Sequence, residues 1–396
     1  MNYQIKVWDR TTGDHRLVGE MICEIAERGR TRSAFRYERD FLKRSDAFAL
    51  DPVSLPLGST TFSTDRSGIF AAFEDSLPDD WGRRLLVRKH QIPRHEQNLP
   101  NLLLAVGSTG LGALSFSDTT PPFPPSSEVS ILHLSTLATA AELFERGESD
   151  VTGLSLLFGA GSSPGGARPK VLVHDEEDGV HYLAKLPSIK DHVDVVKIEA
   201  ATMNLAAKAG LTVPATRLVH CGNRKILLVR RFDIIPAGRR HMISFQTLLN
   251  AQGYYQLRYQ DLLGIVRKYS SDPLEDSERL YRQMVFNAVV SNTDDHLKNF
   301  WMTYDHEQGW RLSPSFDLIP DVGQRGEHVL FFDLGAYYPG RKNLENLGRR
   351  WGIRTTEVVV EEVFDAVACW KEVFAASGVQ DNDTARFKEI DSHLQT

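Results

Sequence analysis

Apolar and polar residues alternate from Tyr3 to Trp8, with Tyr3, Ile5 and Val7 set against Gln4, Lys6 and Trp8. That is the period of a half-buried strand. Thr12-Gly13-Asp14 predicts a turn, and Leu17 to Ile22 resumes extended chain. Aromatic and charged residues alternate again from Phe35 to Phe41, and the proline of Leu55-Pro56-Leu57 keeps that segment extended. Ile69 to Lys89 carries a helical period through Phe70, Phe73, Leu77, Trp81, Leu85 and Leu86, interrupted by a proline. A short helix over Leu99 to Gly107 runs into a glycine-spaced strand, Gly110 to Phe116. These elements predict a small α+β domain over residues 1–118. Asp118 to Glu128 holds four prolines and several hydroxyl residues, so neither helix nor central strand fits there. Residues 119–150 are expected to be a linker followed by one connecting helix, Ser135 to Gly147.

The second half opens on a glycine-rich stretch, Gly159 to Lys170. Two strands follow, Val171 to Val173 and Val180 to Lys185, joined by an acidic turn. Val195 to Ala209 has an amphipathic helical period stopped by Gly210. Thr216 to His220 and Lys225 to Arg230 form a hairpin about Gly222-Asn223. This order over residues 151–235 resembles the small lobe of a protein kinase. From 236 to 396 the periodicity is mainly helical, over Tyr259 to Tyr269, Ser277 to Val290, Thr355 to Ala376 and Thr384 to Leu394. A hairpin between Phe300 and Leu312 ends in Ser315-Phe316-Asp317.

Composition narrows the class. With 396 residues, 41% hydrophobic and 25% charged, the chain is of ordinary globular make-up and long enough for two or three domains. A net charge of −6 supplies no overall drive toward nucleic acid. Three scattered cysteines make neither a disulfide framework nor a metal-ligand spacing. No run approaches the roughly 20 apolar residues of a membrane span, and the first residues lack a signal-peptide pattern, so a cytoplasmic protein without membrane contact is expected.

The chemistry concentrates in Ser291 to Phe300. Asp294 stands five positions before Asn299, the D-x-x-x-x-N spacing of a kinase catalytic loop, in which the Asp accepts the substrate hydroxyl proton and the Asn ligates magnesium. Asn and Asp also cap helices, and spacing alone does not separate the two uses. The following hairpin and Asp317 favour the first, because a kinase sets its second metal-binding Asp after such a hairpin. The backbone of Gly159 to Lys170 could cradle phosphate, although neither a Walker A loop nor G-x-G-x-x-G is present. Lys185 could pair with nucleotide phosphates and with Glu199, or simply end its strand in solvent. Phe232 lies where a hinge would pack on adenine, and His296 could donate to a phosphate or brace Asp294. Zinc motifs such as H-E-x-x-H are absent.

In this order the sequence resembles the HipA family of serine/threonine kinase toxins. The carrying motifs are Ser163-Pro-Gly-Gly-Ala-Arg-Pro-Lys170, Tyr182-Leu-Ala-Lys185-Leu-Pro, Arg231-Phe-Asp233, Asn292-Thr-Asp-Asp-His-Leu-Lys-Asn-Phe300 and Leu312-Ser-Pro-Ser-Phe-Asp317. Leu55-Pro-Leu57, Phe73 to Pro78 and Gly110-Leu-Gly-Ala113 extend the likeness through the N-terminal part. The resemblance implies an α+β N-terminal subdomain fused to a two-lobed kinase-like domain that uses ATP and Mg2+. It implies Asp294 as catalytic base, Asn299 and Asp317 as metal ligands, Lys185 as the nucleotide lysine, and Ser163, Gly165 and Gly166 in the phosphate loop. Ser163 falls where the family carries an autophosphorylated serine. Roughly −1.5 to −2 added charges there would repel the phosphates the loop must hold and switch the enzyme off. The family also implies a protein target in translation, a small DNA-binding, HipB-like antitoxin, and contact with DNA mainly through it. Arg230 departs from the acidic residue often found at the family's hinge, which leaves backbone contacts to adenine. The alternatives are a small-molecule kinase on the same scaffold, or an inactive kinase-like protein acting through an antitoxin–DNA complex.

Overall fold

The computed structural model describes residues 1–26, 31–64, 68–119, 123, 129–160, 168–333 and 335–396. They form two compact units, each assembled from separate stretches of chain. Helices and sheets are present in both, so the fold is mixed α and β.

The first unit comprises Met1–Ile189, Arg230–Asn250 and Thr303–Gln308. Its first sheet is antiparallel, in the order Phe62–Ser63, Thr31–Tyr37, Arg16–Ile25, Asn2–Asp9, Leu114–Ser117. The alternation read at the N-terminus holds through Val7, with Ile5 and Val7 at 0% exposure, but Trp8, expected on the polar side, is buried at 6% where the register shifts between Val7 and Trp8. Phe73 meets Phe35 and Phe116 edge-on in this core, at ring separations of 5.3 and 5.9 Å. Gly19 is required on the second strand, since a Cβ there would lie 2.4 Å from the Arg36 carbonyl oxygen. The expected helix over Ile69 to Lys89 is two, Ala71–Glu74 and Asp80–Lys89, because Pro78 stands at the break. The connecting helix Leu134–Arg146 is followed by a second helix, Val151–Gly159, whose N-terminus is capped by Asp150 through a 2.6 Å bond from the Gly153 amide. Strand Lys170–His174 pairs in parallel with Val129–Ser130 and antiparallel with His181–Lys185.

The second unit comprises Lys190–Val229, Ala251–Met302 and Gly309–Thr396. Helix Val195–Lys208 and the hairpin strands Thr216–Cys221 and Arg224–Arg230 follow the periodicity. Helix Pro273–Val289 begins before the apolar stripe does, because Asp272 caps it and Pro273 fits its first turn. The helix expected over Thr355 to Ala376 breaks at Cys369 into Thr356–Ala368 and Trp370–Ala376. A further helix, Arg341–Arg350, packs Leu344 and Leu347 inward. Tyr281 reaches across the core to the Leu344 carbonyl at 2.9 Å. Among the described residues no helix is long and apolar enough to cross a membrane.

Candidate active site

Helix Pro273–Val289 ends abruptly. Ser291 takes a left-handed φ of +56°, and the Asn292 amide turns back to the Asn287 carbonyl at 2.9 Å. The Asn292 and Asn287 side chains bond each other at 3.0 Å. The chain therefore leaves the helix in a fixed direction, and the polar loop begins there. Its two adjacent carboxylates take opposite environments. The Asp294 side chain is 55% exposed, whereas Asp295 is fully buried. The Asn299 amide nitrogen donates to the Asp294 carbonyl at 2.8 Å, across the turn Leu297–Asn299. The five-residue spacing thus closes a ring that holds the backbone of Asp294 while leaving its carboxylate outward. Arg325 approaches that carboxylate at 3.3 Å.

Asp295 is the residue that the sequence reading passed over. Its carboxylate accepts from Tyr259 Oη at 2.6 Å and from the Val329 and Leu330 amides at 2.8 and 3.2 Å. It also lies 3.0 Å from His328 Nδ1. Burial, with the Asp295 charge and hydrogen bond added, raises the Tyr259 phenol well above its ordinary value, so it remains a donor. Asp295 ties together the catalytic-type loop, the start of helix Tyr259–Tyr269 and the segment after Asp317. His328 contacts Asp295 and not Asp294; His296 is half-buried and precedes the turn Leu297–Asn299.

Asp317 arrives from strand Gly309–Leu312, and buried Asp276 fixes that approach. Asp276 accepts from Arg311 Nε at 3.0 Å, the Leu312 amide at 2.8 Å, Arg279 at 2.9 Å and Ser270 at 2.6 Å. Ser315 bonds Gln283 through its hydroxyl and the Thr212 carbonyl through its amide. Asp317 itself has φ +56°, a left-handed conformation that costs a non-glycine residue energy and clusters at functional sites. Burial pushes the Asp276 carboxyl up, but its bonds from Arg311, Ser270 and Leu312 and the Arg279 charge outweigh this and hold it below the usual range. A carboxylate whose folded pKa is depressed stabilises the fold above its unfolded value near 4 and loses that contribution as pH falls through the folded value. Asp276→Asn is expected to cost about 1–3 kcal/mol at neutral pH. It should also flatten the acid limb of the stability–pH curve below about pH 4, as measured by denaturant melts.

In the first unit, Lys185 ends its strand directly opposite Lys170, and both are buried, 8 and 7% exposed. Directly paired residues share a face of the sheet, so two ammonium-bearing side chains occupy one face. Lys170 carried no signal in sequence beyond closing the glycine-rich stretch. Phe232 is half-buried, and its carbonyl accepts from Arg240 at 3.1 Å. Arg230 is exposed at the end of its strand. In the second unit Glu199 is buried on helix Val195–Lys208. Ser163, Gly165 and Gly166 lie outside the described residues. Among the described residues no group of three or more His, Cys, Asp or Glu side chains could hold a metal ion.

The sequence matches the HipA-like C-terminal domain over residues 162–370 and the HipA N-terminal domain over residues 14–117. Two curated relatives come from Sinorhizobium fredii. "Putative kinase Y4mE" is 31% identical over 147 residues, which is 34% of this chain and 35% of that protein. "Putative kinase Y4dM" is 25% identical over 334 residues, 79% of this chain and 78% of that one. Among solved structures, the Shewanella oneidensis MR-1 toxin–antitoxin complex of HipA, HipB and operator DNA matches with a TM-score of 0.68 at 18% identity, covering 98% of this chain and 95% of that one. With domain matches in both halves and that fold shared along nearly its whole length, the chain belongs to the HipA family.

Proposed function

We propose that this protein is an ATP- and magnesium-dependent serine/threonine protein kinase. The observation that carries the reading is the Asp294–Asn299 ring, in which an exposed carboxylate stands on a backbone held by the amide five residues on. Asp294 would accept the acceptor hydroxyl's proton as phosphoryl transfer proceeds, which requires a carboxylate reachable from solvent yet fixed in place. The Asn299 amide nitrogen is used on Asp294, which leaves its oxygen for a cation, and Asp317 offers a half-buried carboxylate. One amide and one carboxylate oxygen suit Mg2+, which binds through few protein oxygens and completes its shell with water and phosphate. The ion would neutralise charge on the nucleotide phosphates. Lys185, supported by Lys170, would bind nucleotide phosphates, Phe232 would pack on the base, and His296 would donate to a phosphate.

Domain matches in both halves and two relatives named as kinases support the kinase reading. The HipA–HipB–DNA composition of the Shewanella assembly supports a small DNA-binding antitoxin as partner, DNA being met mainly through it, and hence the role of a toxin. We read the target as a component of translation and Ser163 as the autophosphorylated, self-inactivating position. The purified protein incubated with γ-labelled ATP and Mg2+ should acquire acid-stable label at Ser163, and Asp317→Ala should prevent it. A protein that binds ATP yet labels neither itself nor any protein of a cell lysate would overturn the kinase reading. Label on a small metabolite instead would favour the small-molecule alternative.

A further inference from the structure

Arg10 follows the first strand at 8% exposure, and its backbone is fixed on three sides. Its amide donates to the Ala113 carbonyl at 3.0 Å, and its carbonyl accepts from the Gly13 and Arg239 amides at 3.1 and 3.0 Å. Gly238 permits this closeness, since a Cβ there would lie 2.5 Å from the Arg10 oxygen. The guanidinium so placed is not satisfied. Its Nε and Nη2 are buried without a hydrogen-bond partner. The nearby carboxylates are already committed. Asp233 takes Arg231 at 3.0 and 2.6 Å and the Gly112 amide at 3.0 Å, while Asp9 takes the Thr11 amide and hydroxyl, both at 2.8 Å, and Arg16.

Positive charge accumulates around Arg10. Arg231 and Arg239 both act on it, and burial together with these two cations lowers its pKa to about 9 despite Asp233 and Asp9. Half-buried His15 adds a buried Nε2 without a partner, its ring stacked on Phe123 at 4.4 Å. Burial and the Arg10 and Arg239 charges also lower the His15 pKa. A buried cation with open donors costs stability unless an anion meets it. Half-buried Arg239 and His15 leave the cluster open toward the surface.

We propose that Arg10, Arg239, His15 and Arg231 form a binding site for a phosphate-class oxyanion in the first unit. The site takes free phosphate or the phosphoryl group of a larger molecule, because planar guanidinium forks match tetrahedral oxyanions. It uses none of the residues assigned to nucleotide or metal.

The test is thermal unfolding in chloride and in inorganic phosphate at matched ionic strength, with phenyl phosphate as the phosphomonoester probe. Wild type should melt higher in phosphate, saturably. A response to both probes assigns the site to phosphoryl groups in general, and a response to phosphate alone assigns it to the free ion. Arg10→Met should melt higher than wild type in chloride, having lost an unneutralised buried charge, and should not respond to phosphate. Arg239→Gln should weaken phosphate binding by about 10- to 100-fold, and it carries the test if Arg10→Met does not fold. Lys185→Met, aimed at the nucleotide site, should keep the full response. No response in wild type, an undiminished one in Arg239→Gln, or its loss in Lys185→Met would each overturn the proposal.

Discussion

Asp294→Asn is expected to slow phosphoryl transfer by about 10²- to 10⁴-fold while leaving the melting temperature nearly unchanged. The two halves of that expectation rest on different atoms of one residue. The loop is held through the Asp294 carbonyl, which accepts from Asn299, and through the buried side chain of Asp295. Neither is altered by the substitution. The Asp294 carboxylate meets Arg325 at 3.3 Å, with both side chains more than half exposed. Such a pair contributes about 0–1 kcal/mol. The asparagine keeps the shape and loses the proton acceptor, so the loss should fall on kcat more than on KM for ATP. Initial rates with labelled ATP, set beside a thermal melt, measure both. A rate within tenfold of wild type would remove Asp294 from the chemistry. A large drop in melting temperature would make it a structural residue instead.

Short-range pattern carried much of this molecule into view. The catalytic-type spacing, the hairpin before Asp317 and the strand ending at Lys185 are local features, and each lies where the periodicity put it. What escaped depends on distant partners. Asp294 and Asp295 are chemically identical neighbours, and only Tyr259 and His328, remote in sequence, decide which is buried. Lys170 gains meaning from its register opposite Lys185, and Arg10 from Arg231 and Arg239, which return to the first unit from beyond residue 229. Helix Val151–Gly159 follows a glycine-bearing apolar run whose period fits no single face, with only Leu157 buried among its side chains. Helix Arg341–Arg350 is mostly polar, and its few inward leucines are a weak signal without the tertiary partner Tyr281.

The largest loss of stability should come from Asp295→Ala, at about 3–5 kcal/mol. Four donors converge on this carboxylate inside the second unit: a phenol, an imidazole nitrogen and two backbone amides. Removing the acceptor leaves each of them buried or half-buried without it, and the missing bonds cannot be replaced by apolar packing. Tyr259→Phe removes one donor and leaves three, so it should cost less, about 1–3 kcal/mol, even though it also takes away the acceptor to which the Asn287 amide donates at 3.0 Å. The two changes share one network, so a double-mutant cycle should show coupling of about 0.5–3 kcal/mol rather than simple addition. Activity should fall with Asp295→Ala even at temperatures where the variant is folded, because Val329 and Leu330 lose their bonds to the loop carboxylate and the segment after Asp317 is left with backbone bonds such as Val329 to Thr293 and Phe331 to Leu257. Asp295→Asn separates anchoring from charge: its amide oxygen still accepts from the two backbone amides, whereas its nitrogen would face Tyr259 or His328 as a donor. If urea melts place Asp295→Ala within about 1 kcal/mol of wild type, the carboxylate is not what holds these three segments together.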